Sequence, residues 1–271
     1  MSYHQTGSAG AGHDHCQYGE SRLWFRGPER SLETSFMACA GGEETFGRFV
    51  DRPYAAILED RLDRRCLNLG SLFCGVDALC GDAGLFELLN RAELCVLQAP
   101  GLLSQSNRFY RVHPRRNDRV LAPSSELTHL YPEADFTDVH FVGHLMVYLQ
   151  QFRDARVEIV LEELRRNWVK KISELLDRLE VPVVLLGLRV LQHTEDHRDP
   201  VSAEVSPCML NAVRPHCAGM VKIAVQVSGQ SEELEDMLFG TLQQPMAEHM
   251  IGPAAHKTIA DALIEPVQNL Q

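Results

Sequence analysis

The residues best suited to chemistry sit in a glycine-rich turn, Gly41-Gly42-Glu43-Glu44-Thr45-Phe46-Gly47, and at His256 near the C-terminus. A glutamate in a partly buried turn has its pKa raised and can act as a general base that activates water. His256 falls in the first turn of an expected helix, where the dipole disfavours the imidazolium and suits a neutral base or acceptor. Brought to one cleft, Glu43 and His256 form an acid–base pair. The alternative for Glu43 is structural, a carboxylate facing the amides of the helix that follows. Asn68, at the end of an expected strand, has the same two readings: a donor to an oxyanion, or a side chain satisfying turn backbone groups.

A second group is the run of Arg108, Arg111, Arg115, Arg116 and Arg119, interleaved with Phe109, Tyr110 and His113. Guanidinium groups bind phosphate, sulfate and carboxylate in bidentate fashion, so the cluster is expected to hold one substrate anion. Its structural alternative is a solvated loop bridged to carboxylates such as Glu126 and Glu133. His140 and His144, four apart, have a spacing that shares a metal on a helix, but no third ligand stands near them in sequence. The His193–His197 loop and the His13-Asp14-His15 tail are read as incidental too, and no metal or cofactor is expected.

The elements that must position these groups alternate. Residues 36–40, 66–69, 94–98, 181–190 and 220–227 read as strands. Helical spacing marks 53–62, 85–92, 139–151 and 157–179. Acidic residues open an expected helix at 231–239, and Pro253 opens the last one. Residues 99–138 read as a long connection rich in Arg, Pro and Ser. Residues 1–14 are expected to be a disordered tail, 15–33 an extension with a short strand, and 34–271 the domain. Strand–helix alternation of this kind predicts a three-layer α/β/α domain with a mainly parallel, five-stranded sheet. Ligands then collect at the carboxyl ends of the strands, which gathers the turns after residues 40, 69 and 98 with the start of the last helix.

Those turns carry a resemblance. Gly41, Thr45 and Gly47 match the first block of the SGNH (GDSL-type) hydrolases, Gly-Asp-Ser-x-Thr-x-Gly. Asn68-Leu69-Gly70 is similar to the second block, in which a glycine amide helps form the oxyanion hole. Gly252-Pro253-Ala254-Ala255-His256 is similar to the last, which carries the catalytic histidine. The resemblance spans roughly residues 34–265 and implies a flavodoxin-like fold, with Gly70 and Asn107 or Asn68 as oxyanion donors. The departures are specific. Glu43 stands where the nucleophilic serine stands in the family, and Pro253 where the aspartate does. Gly101 and Asn107 are the nearest match to the third block but lie too far apart. The runs 21–28 and 106–119 also resemble a family of uncharacterised alphaproteobacterial proteins, which implies a bacterial source and no particular reaction.

Composition narrows the function. The chain has 26 basic and 37 acidic residues, net −11, which argues against a nucleic-acid binder. No run of about eighteen apolar residues spans a membrane, and the N-terminus has no secretory pattern. Eight cysteines, several inside apolar segments and none in a Cys-x-x-Cys pair, fit a reducing cytoplasm. Two readings follow. One is an SGNH-like hydrolase or acyl transferase acting on an ester or acyl group of an anionic, carbohydrate-linked or other small-molecule substrate. The other is a catalytically silent relative that keeps the cleft for binding. A sulfuryl or phosphoryl transferase rests on the arginines alone, without a Walker-type loop. Oligomeric state is left open.

Overall fold

The structure, a computed structural model, describes residues 15–152, 155–192 and 204–270. The N-terminal segment forms a small antiparallel pair, β1 (His15–Cys16) and β2 (Phe25–Arg26). Then follow β3 (Met37–Gly41), α1 (Glu43–Phe46), α2 (Tyr54–Leu62), β4 (Cys66–Gly70), α3 (Val76–Gly81), α4 (Ala83–Arg91) and β5 (Leu94–Gln98). The middle of the chain forms a second antiparallel pair, β6 (Tyr110–His113) and β7 (Arg116–Pro123), and the helices α5 (Ser125–Leu130), α6 (Val142–Gln150) and α7 (Arg156–Arg178). The last part comprises β8 (Val183–Leu191), α8 (Pro207–Val213), β9 (Gly219–Gln226), α9 (Gln244–Ala247) and α10 (Pro253–Gln268).

Five strands make one parallel sheet in the order β4-β3-β5-β8-β9. Each βαβ step needs a crossover helix, and these helices cover both faces. Strands β3 and β5 are therefore buried along their whole length, which explains their unbroken apolar runs. One face packs on α2 and α10 through Tyr54, Leu58, Ile259 and Leu263. The other packs on α3, α4, α6, α7 and α8. The expected α/β/α architecture with a flavodoxin-like strand order is what the chain adopts.

Helix α7 anchors the second face. Val160, Leu161, Leu164, Trp168, Ile172, Leu175 and Leu176 form its buried stripe. Trp168 is fully buried, and its indole N–H donates to the carbonyl of Pro100 at 2.9 Å. Burying side chains of this size contributes about 1.5–3 kcal/mol each. The N-terminal segment is part of the same core, since Cys16, Tyr18, Leu23 and Phe25 are buried within it.

Three expectations need correction. The connection 99–138 is ordered by the β6–β7 ribbon and α5. Its alternation is short and broken by register shifts on either side of Val112, which hides the strand signal. The helix expected at 231–239 is only a 3-10 turn, Glu232–Asp236, with no buried residue, so no apolar face extends it. His140 precedes α6 and only His144 lies on it, so the pair does not share a helical face. Among the described residues no cluster of His, Cys, Asp and Glu suits a metal. Residues 13 and 193–197 lie outside the described residues. No helix among the described residues is long and apolar enough to cross a membrane.

Candidate functional site

The strand order reverses direction at β3, whose neighbours are β4 on one side and β5 on the other. The loops leaving β3 and β5 part there, and a crevice opens at their carboxyl ends. Glu43 and Glu44 open α1 directly after β3, and Gln98 ends β5. The Gln98 side-chain oxygen accepts from the Gly42 amide (3.2 Å), the Thr45 amide (3.2 Å) and the Thr45 hydroxyl (2.5 Å). Its amide nitrogen donates to Glu44 Oε2 at 2.7 Å. The Thr45 hydroxyl donates to Gln98, so the Tyr54 hydroxyl, 2.9 Å away, donates to Thr45. Gln98 thus fixes the α1 turn from the neighbouring strand. Sequence reading passed over it because a glutamine at a strand end carries no motif.

Asn68 holds the same turn from β4. Its Nδ2 donates to the Thr45 carbonyl (2.8 Å), and its Oδ1 accepts from the Gly70 amide (2.9 Å). Of its two readings, the geometry matches the turn-satisfying one. Gly70 is needed because a Cβ there would strike the Phe46 backbone. The Gly70 amide, already bonded, is not directed at a substrate. Asn107 lies elsewhere, at the entrance to β6. Its Oδ1 accepts from the Phe109 and Tyr110 amides, at 2.8 and 3.3 Å, and its Nδ2 donates to the Gln105 carbonyl at 3.2 Å. Asn68 and Gly70 therefore bond each other, and the Asn107 side chain bonds the backbone of its own loop.

Glu43 and His256 are brought together. Both line a small cavity of about 50 Å³ that also involves Glu44, Gly47, Arg48 and Ile251. The N-cap of α1 is Gly42, and Glu43 is its first helical residue. Burial and the adjacent Glu44 carboxylate raise its pKa, Asp118 adds to this, and Arg48 and Arg116 oppose it. His256 is fully buried in the first turn of α10. Its Nδ1 accepts from the Tyr54 amide at 3.1 Å, so the neutral ring carries its proton on Nε2. That Nε2 is buried and has no hydrogen-bond partner among the described residues. Gly47, at φ +66°, turns the chain beside the ring; a Cβ there would strike Pro53 Cβ at 2.8 Å and lie 3.4 Å from Nε2. Burial, with the Arg26 charge, pushes the His256 pKa down to about 3. His256 is thus a neutral donor, and the expected role as base does not match its tautomer.

Arg26 is a second residue that the sequence reading did not single out. It is buried and donates to the carbonyls of Phe46 (3.0 Å), Gly47 (2.5 Å), Val50 (2.9 Å) and Asp51 (3.0 Å). Burial lowers its pKa to about 10. This one side chain closes the segment after α1. A larger cavity, about 260 Å³, lies at the ends of β5 and β8 between Glu44, Gln98, Gly187, Arg189 and Glu204. It shares Glu44 and Val190 with the small one.

The five arginines do not form one anion site. Arg108 reaches Glu126 and Glu163, each at 3.7 Å, and lies over the Phe109 ring. Glu133 pairs instead with Arg156. Arg111 is exposed on β6, and Arg119, on the ribbon's other strand, lies over the ring of Phe141 just before α6. Arg116 binds Asp118 at 2.8 Å and lies over the Phe73 ring at 4.1 Å. Only Arg115 and Arg116 converge, on a cavity of about 480 Å³ beyond the end of β4. Arg22, from the N-terminal segment, joins them there.

The chain is similar to three solved structures. A lipase from a goat rumen metagenome, Lip_vut3, is 11% identical with a TM-score of 0.42, over 86% of this chain and 97% of its own. AbyA5 is 14% identical with a TM-score of 0.29, over 93% and 75%. A thioesterase domain from the curacin biosynthetic pathway is 12% identical with a TM-score of 0.29, over 93% and 99%. No curated protein matches the chain. The family profile described as a domain of unknown function, DUF6473, matches residues 1–271, and the chain belongs to that family.

Proposed function

We propose that the protein is an SGNH-like hydrolase in which a carboxylate and a water replace the seryl nucleophile. Its substrate would be an ester or acyl group of an anionic small molecule, carbohydrate-linked esters included. The observation that carries this reading is the buried, unpartnered Nε2–H of His256 on a cavity it shares with Glu43. An unsatisfied buried donor costs about 1–3 kcal/mol, so a fold that keeps one invites an acceptor. A cavity of about 50 Å³ accommodates a water and no substrate. Nε2–H donates to the water oxygen, and Glu43 takes one of its protons as it attacks the acyl carbonyl. Glu43 then passes that proton to the departing alcohol oxygen. The acyl part would occupy the adjoining cavity of about 260 Å³. Eight free cysteines, six of them buried, suit a reducing, cytoplasmic setting.

The second reading, a binding protein without turnover, is favoured by one observation: the Gly70 amide and Asn68 are bonded to each other. Initial rates on a panel of acyl esters and acetylated sugars separate the two. Hydrolysis reduced about 100-fold or more by Glu43→Gln, with unchanged circular dichroism, supports the carboxylate mechanism. No turnover by the wild type assigns the cleft to binding, and turnover indifferent to Glu43→Gln and His256→Gln overturns the carboxylate mechanism.

A further inference from the structure

The cavity beyond the end of β4 has a composition that neither hydrolysis nor folding explains. Its walls are His15, Arg22, Leu23, Trp24, Ser71, Leu72, Phe73, His113, Arg115 and Arg116, with no carboxylate among them. On a chain of net charge −11, a basic concavity concentrates anions from solution. Arg116 is already paired with Asp118. Among the described residues, the side chains of Arg22 and Arg115 form no ion pair, so two exposed arginines line one volume without a compensating carboxylate. His113 Nδ1 accepts from the Arg115 and Arg116 amides at 3.3 and 3.1 Å, which leaves Nε2–H as its donor.

The rest of the wall is aromatic and apolar. Trp24 is 53% exposed at this cavity, although it is one of only two tryptophans in the chain. Phe73 holds φ +60°, a left-handed conformation that bulky residues rarely adopt. Strain of this kind costs of order 1–3 kcal/mol and persists where surrounding structure imposes it. Here the Asn117 amide bonds the Phe73 carbonyl at 3.1 Å, and the Arg116 guanidinium covers the ring. Leu23 and Leu72 complete the apolar side. A hydrated inorganic ion has no use for such a surface.

We propose that this cavity binds a small organic anion: a phosphate or carboxylate group joined to an aromatic ring. Arg22 and Arg115 hold the anionic group, while the exposed Trp24 stacks on the ring and Phe73 completes the apolar wall. The volume, about 480 Å³, lies within the range of small-molecule sites. This inference concerns binding alone and does not depend on hydrolysis through Glu43; a protein without esterase activity still binds.

Phenyl phosphate is the first probe, titrated by calorimetry and by tryptophan fluorescence. Trp168 is fully buried, so a ligand-dependent change reports Trp24, and Trp24→Phe removes it. Phenyl phosphate is expected to bind saturably, about tenfold or more tighter than inorganic phosphate or phenol. Arg22→Gln and Arg115→Gln are each expected to weaken it about tenfold with unchanged melting temperature, and added salt to weaken it further. Benzoate identifies the head group: affinity equal to phenyl phosphate assigns a carboxylate as well, weaker binding a phosphate. Affinity no greater than for inorganic phosphate overturns the inference, as does binding indifferent to both arginine substitutions.

Discussion

Two regions at the carboxyl edge of the sheet collect polar and charged groups, and they differ in where their hydrogen bonds go. Around α1, Gln98, Asn68 and Arg26 reach in from three different strands and bond to the backbone of the same segment. Beyond β4, Arg22 and Arg115 line a cavity, and their side chains have no ion-pair partner among the described residues. The first region is a rigid frame with one donor left over, His256 Nε2. The second has capacity left over and little framework. A polar residue satisfied inside the protein stabilises the fold, whereas one left unsatisfied at a cavity marks where a ligand gains most.

The comparison breaks most readily at Arg26. Arg26→Gln leaves four carbonyls short of their donor, and a loss of about 4 kcal/mol is expected in urea unfolding. A loss below about 1 kcal/mol would mean the frame is looser than its hydrogen bonds imply.

Acid tests the same region. His256 takes up no proton in the folded state until about pH 3, whereas the unfolded chain titrates near 6.5. The unfolded state therefore binds more protons in that window, and stability falls as pH drops from 6.5 toward 3. The expected contribution is about 4 kcal/mol. Glu43, whose folded pKa is raised, acts in the opposite sense just above pH 4.5 and blunts the slope there. His256→Gln, which keeps an acceptor for the Tyr54 amide, should flatten the acid limb; an unchanged limb would show that His256 is not the group responsible.

Gln98→Leu tests the link between β5 and α1. It strips acceptors from the Gly42 and Thr45 amides, with an expected cost of about 2–3 kcal/mol. The smallest effect sharpens the contrast. Arg115→Gln should shift stability by less than about 0.5 kcal/mol, since its side chain completes no internal network. A large shift in its melting curve would reassign Arg115 to the framework.

Much of this was legible in the residues themselves. The buried strands of the sheet announce themselves as apolar runs, and α7 by its regular three-and-four spacing, because burial on both faces or along one stripe leaves a periodic record. The glycine turn and His256 were legible too, since a tight turn and a helix start have local signatures, and the fold does bring Glu43 and His256 to one cavity. The ribbon at β6–β7 was hidden by its register shifts. So was the division of the arginines, because strand alternation sends Arg111 outward while the hairpin turn carries Arg115 and Arg116 to meet Arg22 from far away in sequence.

The sequence by itself determined the five strands of the parallel sheet and the longer helices that cover it, since local periodicity and turn chemistry are properties of neighbouring residues. Only the tertiary structure decided which polar groups are satisfied. The bond from the Tyr54 amide to His256 spans 202 residues and fixes the imidazole tautomer. Gln98 reaches α1 across 53 residues or more. Hydrogen-bond partners at such separations leave no periodic trace, yet they set whether His256 accepts or donates a proton and which arginines remain open to an anion.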